Sequence, residues 1–252
     1  EPAPTRDHTE RMLTAFGVQV GREGATASVR GGQVLRAARV DVPADISSAA
    51  FFLVAAAICP GSDLVLRHVG MNPTRTGVLH VLRAMGADIT ESNPQLVGGE
   101  PVADLHVRGG RLKGITIDPA WVPLAIDEFP ALFIAAACAE GVTELRGAEE
   151  LRVKESDRIQ VMADGLAAVG LPVTVLPDGM RIEGRGGEAH PFAGGTVEAH
   201  GDHRIAMSFT VAALRSRGPI YIRDTANVAT SFPGFVALAR SVGLDVSVAE
   251  GG

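Results

Sequence analysis

The 252 residues, 46% hydrophobic and 21% charged, are enough to bury a substantial core in one large or two small domains, which excludes disordered and fibrous classes. With 23 Lys and Arg against 29 Asp and Glu the net charge is −6, so the basic footprint of a nucleic-acid or anionic-membrane binder is missing and any anionic ligand needs a local cationic site. Apolar runs such as residues 49–59 and 130–139 reach about half the roughly 20 residues of a membrane-spanning helix, and two cysteines make neither a disulfide framework nor a four-ligand zinc site, so the expected setting is a reducing cytoplasm.

In chain order, Arg6-DHTERMLTAFG and Val18-QVGRE read as a helix and a strand. A template follows three times: an Asp, an Ala-rich apolar helix, a Gly turn, a strand, a polar loop, a second helix, then Gly and another strand. The first copy runs Asp45-ISSAAFFLVAAAICPG, Asp63-LVLRHV, Thr74-RTGVLHVLRAMG and Ala87-DIT. The second runs Asp127-EFPALFIAAACAEG, Val142-TELRG, Lys154-ESDRIQVMADGLAAVG and Leu171-PVTV. The third runs Asp202-HRIAMSFTVAALRSRG, Pro219-IYIRD, Ser231-FPGFVALARSVG and Leu244-DVSV. The leading aspartates are 82 and then 75 residues apart, longer than common solenoid periods. The opening helix and strand match the second half of the template without its first half. The expectation is that residues 1–44 are the remnant of an amino-terminal domain, linked near Val42-Pro43 to a domain over 45–252.

Within each copy the first helix is apolar on every side, as for a helix surrounded by protein. The second carries one stripe at helical period: Val78, Leu82, Met85; Ile159, Met162, Leu166; Phe235, Leu238, Val242. Gly98-Gly99 and Asp178-Gly179 predict hairpin turns. The fold class is therefore α/β, a pseudo-threefold repeat of helix-strand-helix-strand-strand units with helices inside and sheets outside.

Two segments carry chemistry. The loop Glu149-ELRVKESDR crowds charges at the start of a helix and reads either as a solvated helix start with local ion pairs or as a site, since the matching loops Gly70-MNPTRTG and Asp224-TANVATSFPG lack that crowding. Gly201-DHR heads a buried helix. Asp202, like Asp45 and Asp127, is explained as an N-cap. Arg204 is not, because a first-turn cation opposes the helix dipole, yet together with free N–H groups it makes an anion site. His203 reads as a partly buried histidine, and Cys59 and Cys138 as small buried groups near helix ends.

Together Arg6-DHTERML, Asp45-ISSAAF, Asn72-PTRTG, Glu100-PVADL, Ile126-DEFP, Glu150-LRVKESDRI, Gly201-DHRIAMSF and Ala229-TSFPGF resemble the carboxy-terminal part of the EPSP synthase (3-phosphoshikimate 1-carboxyvinyltransferase) family, in its class II, glyphosate-tolerant branch. The resemblance implies an enolpyruvyl transferase-like, inside-out α/β barrel, truncated at the amino terminus. It implies transfer of the enolpyruvyl group of phosphoenolpyruvate to the 5-hydroxyl of shikimate 3-phosphate without a cofactor or metal, and glyphosate as a ligand. Matched by motif, Asp127 is the base, Glu155 the acid, and Lys154 a cation touching both substrates. Arg158 and Arg204 bind phosphoenolpyruvate, and Arg6 reaches the shikimate phosphate. Thr230 stands where class I members have a lysine, so no ligand role falls there.

The family's Gly-Asp-Lys-Ser-Ile-Ser-His-Arg motif, glycine loop and Ser-Gln pair are absent from this chain. The family's terminus also adds a strand to the carboxy-terminal domain, so one sheet is expected to show a gap. The chain alone is expected to be inactive; complete, it is expected to be a monomer, or else paired with a separate amino-terminal half. Two rivals are the sister transferase acting on UDP-N-acetylglucosamine and a non-catalytic interaction module.

Overall fold

The computed structural model describes residues 5–249. Helix α1 (His8–Ala15) leads into an antiparallel hairpin of β1 (Val20–Glu23) and β2 (Thr26–Val29), after which residues 30–43 carry no regular structure. From Ala44 the chain builds three units around a common centre.

The first unit holds α2 (Ile46–Ile58), β3 (Asp63–Gly70), α3 (Gly77–Ala84), β4 (Asp88–Val97) and β5 (Glu100–Arg108), the strands pairing antiparallel in the order β3-β5-β4. Gly98 and Gly99, with φ of +55° and +85°, make the two-residue turn between β4 and β5 that a residue with a Cβ would strain. The second unit holds β6 (Leu112–Lys113), α4 (Phe129–Ala137), β7 (Ala139–Leu145), α5 (Arg158–Ala168), β8 (Thr174–Leu176) and β9 (Gly179–Arg185), in the order β6-β7-β9-β8. The third holds β10 (Gly195–Glu198), α6 (His203–Ala212), β11 (Ile220–Arg223), α7 (Ala226–Ser231) and α8 (Phe235–Ser241).

Helices α2, α4 and α6 touch one another at the centre. All of α4 and every residue of α2 except Ser48 are buried, as their uniformly apolar composition requires. The stripes of α3 and α5 are buried too, and Gly165 of α5 lets that helix approach α6, since a Cβ there would stand 2.4 Å from the Phe209 ring. One feature escaped the sequence: each unit begins with a residue or short strand before its core helix, pairing parallel with the strand after it, at Ala44 with Val69, β6 with β7, and β10 with β11.

The third unit departs from the template. Its sheet has two strands, the segment expected as a strand at Leu244-DVSV is irregular, and the proline in Ser231-FPGF splits the second helix into α7 and α8. Leu238 and Val242, expected on a buried stripe, remain 43% and 40% exposed, because no hairpin covers that side of α8 among the described residues. Phe235 holds the helix instead, packing against Phe51 and Phe52 of α2 with ring centroids 6.1 and 5.9 Å apart. Among the described residues no helix is long and apolar enough to cross a membrane.

Candidate active site

The beginnings of the three core helices meet at one end of the barrel, where side chains from adjoining units bond across them. Ser47 at the start of α2 donates to Glu128 at the start of α4, and Nη1 of Arg204, in the first turn of α6, donates to the backbone carbonyl of Asp127 at 3.0 Å. Three positive helix ends thus face a common region, which favours anions before any side chain is counted.

Asp45 and Asp202 cap their helices as expected, accepting from the backbone N–H of Ser48 and Arg204. Asp127 does not. Helix α4 takes Glu128 as its N-cap and has no side-chain capping bond. Pro130 has no N–H, which removes one of the two donors, those of residues 129 and 130, that a cap at residue 127 would use.

Freed from capping, the Asp127 carboxylate sits among cations. Arg6 pairs with Oδ2, while Nη1 of Arg158 and Nζ of Lys154 lie 3.4 and 3.5 Å from Oδ1. Burial raises the proton affinity of this carboxyl, but the Arg6 hydrogen bond and the charges of Arg204, Arg6 and Lys154 outweigh it and hold its pKa at about 2. It is therefore a carboxylate at any ordinary pH.

The charged loop before α5 is a built structure rather than a solvated helix start. Leu151 is buried, Arg152 donates to the backbone carbonyls of Leu176 and Pro177, and Asp157 caps α5 by accepting from the Gln160 N–H. These anchors leave Lys154 and Glu155 pointing at the helix starts. Lys154 pairs with Glu150, and Glu155 with Arg158.

Arg158 is fully buried. Its Nε donates to Oδ2 of Asp202 at 2.8 Å, and its Nη atoms reach Glu155 and Asp127, so one guanidinium joins three carboxylates from three segments. Asp202, also buried, accepts from Ser156 at 3.0 Å, and although burial opposes ionisation, Arg158 holds its carboxyl below the usual range. His203 has its proton affinity lowered by burial and by Arg204. Burial pushes the Cys138 thiol up to about 12, which fits an inert core group. Among the described residues no group of three His, Cys, Asp or Glu is arranged to hold a metal.

The family model for EPSP synthase (3-phosphoshikimate 1-carboxyvinyltransferase) matches residues 1–238. The chain belongs to the EPSP synthase family. It is 65% identical over 248 residues to the 3-phosphoshikimate 1-carboxyvinyltransferase of Methylococcus capsulatus, covering 98% of this chain and 56% of that protein. With the enzyme of the same name from Alkalilimnicola ehrlichii it shares 64% over 244 residues, 97% of this chain and 54% of the relative. EPSP synthase from Acinetobacter baumannii superposes with a TM-score of 0.96 at 60% identity, over 99% of this chain and 57% of that one. The enolpyruvyl transferase NikO from Streptomyces tendae, 21% identical, shares the fold at a TM-score of 0.67 over 92% of this chain and 51% of that one. The chain spans about half the length of the curated EPSP synthases it matches.

Of the residues that the EPSP synthase resemblance singles out, Arg6, Asp127, Lys154, Glu155, Arg158 and Arg204 all lie in this one cluster. Three further members went unassigned. Asp202 caps α6 and is in addition the main partner of Arg158. Glu128 and Ser47 stood inside the quoted motifs without a role; Glu128 is buried beside Asp127, its carboxyl pushed up by burial despite Ser47, Arg204 and Arg75. The signal available was an acid and a serine at the heads of wholly apolar helices, where a polar side chain needs a partner.

Proposed function

We propose that this chain carries the carboxy-terminal share of an EPSP synthase active site, which moves the enolpyruvyl group of phosphoenolpyruvate to the 5-hydroxyl of shikimate 3-phosphate and releases phosphate. The observation that supports it most is the Asp127 carboxylate, which makes no helix-capping bond and is ringed by Arg6, Lys154, Arg158 and Arg204 with Glu155 alongside.

In this reading Asp127 accepts the proton of the 5-hydroxyl as its oxygen attacks phosphoenolpyruvate, and Glu155 donates a proton to the methylene carbon. The product keeps its carbon–carbon double bond, so that proton leaves again as the carbon–phosphate oxygen bond breaks. Lys154, Arg158 and Arg204 balance the phosphate and carboxylate charges in a site that already presents three helix N-termini. Arg6 takes the shikimate phosphate. When Arg6 turns from Asp127 to that phosphate, the carboxylate loses its strongest neutralising partner and becomes a better base.

The same reading makes residues 1–44 part of an amino-terminal domain and 45–252 the carboxy-terminal one, with the remaining substrate contacts on the portion of the relatives that this chain does not span. The complete enzyme would be a cytoplasmic monomer, with glyphosate competing for the cations that hold phosphoenolpyruvate.

The test is phosphate release from both substrates, measured on the chain alone and with the amino-terminal portion of a relative supplied in trans. Turnover is expected only from the combination, because positioning worth about 7 to 11 kcal/mol is shared between the two walls of the cleft. An ordinary turnover rate from the chain alone would refute the divided site.

A further inference from the structure

Three sequence motifs, Arg6-DHTERML, Asn72-PTRTG and Glu100-PVADL, have residues outside the reaction cluster that meet one another. Asp7 is buried, and its carboxylate takes donors from three places: Nε of Arg11 at 2.8 Å, Nη1 of Arg22 at 2.7 Å, and Nδ2 of Asn72 at 2.6 Å. The same Nδ2 lies 3.0 Å from Oε2 of Glu100, whose Oε1 meets Nδ1 of His8 at 2.7 Å. Arg11 completes the ring by donating to the backbone carbonyl of Gly99 at 3.0 Å.

Asn72 is the joint. It is buried, and its Oδ1 is taken up by the Thr74 N–H and hydroxyl at 2.9 and 2.7 Å, which orients the amide. Its two amide protons then face two carboxylates, Asp7 from the start of α1 and Glu100 from the start of β5. An amide suits this position: aspartate there would crowd three carboxylates, and an apolar residue would leave the buried Asp7 and the partly buried Glu100 each short of a donor.

We propose that Asp7, Asn72 and Glu100 form a clasp that positions Arg6 over Asp127, making Asn72 a positioning residue for shikimate 3-phosphate. The residue before Asp7 is Arg6, so the clasp fixes the backbone from which that guanidinium reaches across. This inference rests on the proposed role of Arg6 as a substrate ligand. It assigns Asn72 an action through Arg6 alone, with no substrate contact of its own.

The test uses a full-length enzyme made by joining this chain to the amino-terminal portion of the Acinetobacter baumannii relative. Asn72→Ala is expected to raise the KM for shikimate 3-phosphate about tenfold to a hundredfold, the scale of lost hydrogen bonds to charged groups, while kcat and the KM for phosphoenolpyruvate change less than about threefold. Arg6→Ala should raise the same KM, and the double variant should rise no further than Arg6→Ala, because both changes remove one contact. Multiplicative effects, an equal rise in both KM values, or no rise with Asn72→Ala would overturn the proposal. A second readout is independent of turnover: carbon NMR titration of Asp127 should show its midpoint rising in Asn72→Ala as it does in Arg6→Ala. If Arg6→Ala leaves the KM unchanged, the functional reading of Arg6 fails, and this titration alone decides the clasp: an unmoved midpoint refutes it. Should Asn72→Ala fold poorly, Glu100→Gln, which keeps the shape and removes one charge, is expected to move the same two readouts in the same direction, and an unchanged pair counts against the clasp.

Discussion

Replacing Asp127 by Asn keeps the size of the side chain and removes its charge from among four cations. The Asp127 side chain is 14% exposed, so solvent screens the loss only slightly. A fall from the ordinary aspartate value of 3.8 to about 2 in the folded state corresponds to about 2 kcal/mol favouring the ionised, folded form. The folded-state value is the lower one. The stabilisation is therefore complete above about pH 4.5, and linkage leaves about half of it at pH 3 and little at pH 2. Urea denaturation of the wild type and of Asp127→Asn between pH 3 and 7 should show a gap of about 2 kcal/mol at neutral pH that narrows on acidification. In the full-length enzyme the same variant should lose turnover by about 10² to 10⁴, as for a general base removed. If Asp127 were a helix cap, Asn would serve equally well and neither quantity would move. A stability gap that is absent, or that stays constant with pH, would refute the charge argument.

Glu155→Gln should lower turnover by about 10² to 10⁴ with both KM values nearly unchanged, because proton transfer matters only in the transition state; its side chain is half exposed, so thermal melting should hardly shift. Arg204→Ala should raise the KM for phosphoenolpyruvate by about 10- to 150-fold, the equivalent of about 1.5 to 3 kcal/mol for a charged hydrogen bond, read from initial rates against substrate concentration. Arg158→Met should act on the fold, since it strands the buried Asp202 carboxylate: a loss of about 3 to 5 kcal/mol, seen by calorimetry as a fall in Tm of roughly 6 to 20 °C.

How far the sequence could be read follows from which interactions are local. Apolar core helices announce themselves residue by residue, so α2, α4 and α6 emerge from long apolar runs and the stripes of α3 and α5 from period. The short parallel partners at Ala44, β6 and β10 do not, because pairing across a helix leaves no periodic mark in one to four residues. The stripe of α8 shows the converse: Leu238 and Val242 carry the pattern of burial, yet burial depends on a covering hairpin that the third unit lacks among the described residues. At the site, the cations and acids were legible as residue types, whereas their pairings join segments up to 121 residues apart, such as Arg6 and Asp127. One of those pairings did have a local signature. Pro130, three residues after Asp127, removes one of the two N–H donors open to a cap there, and a carboxylate at the head of a buried element that does not cap its helix must find a cation.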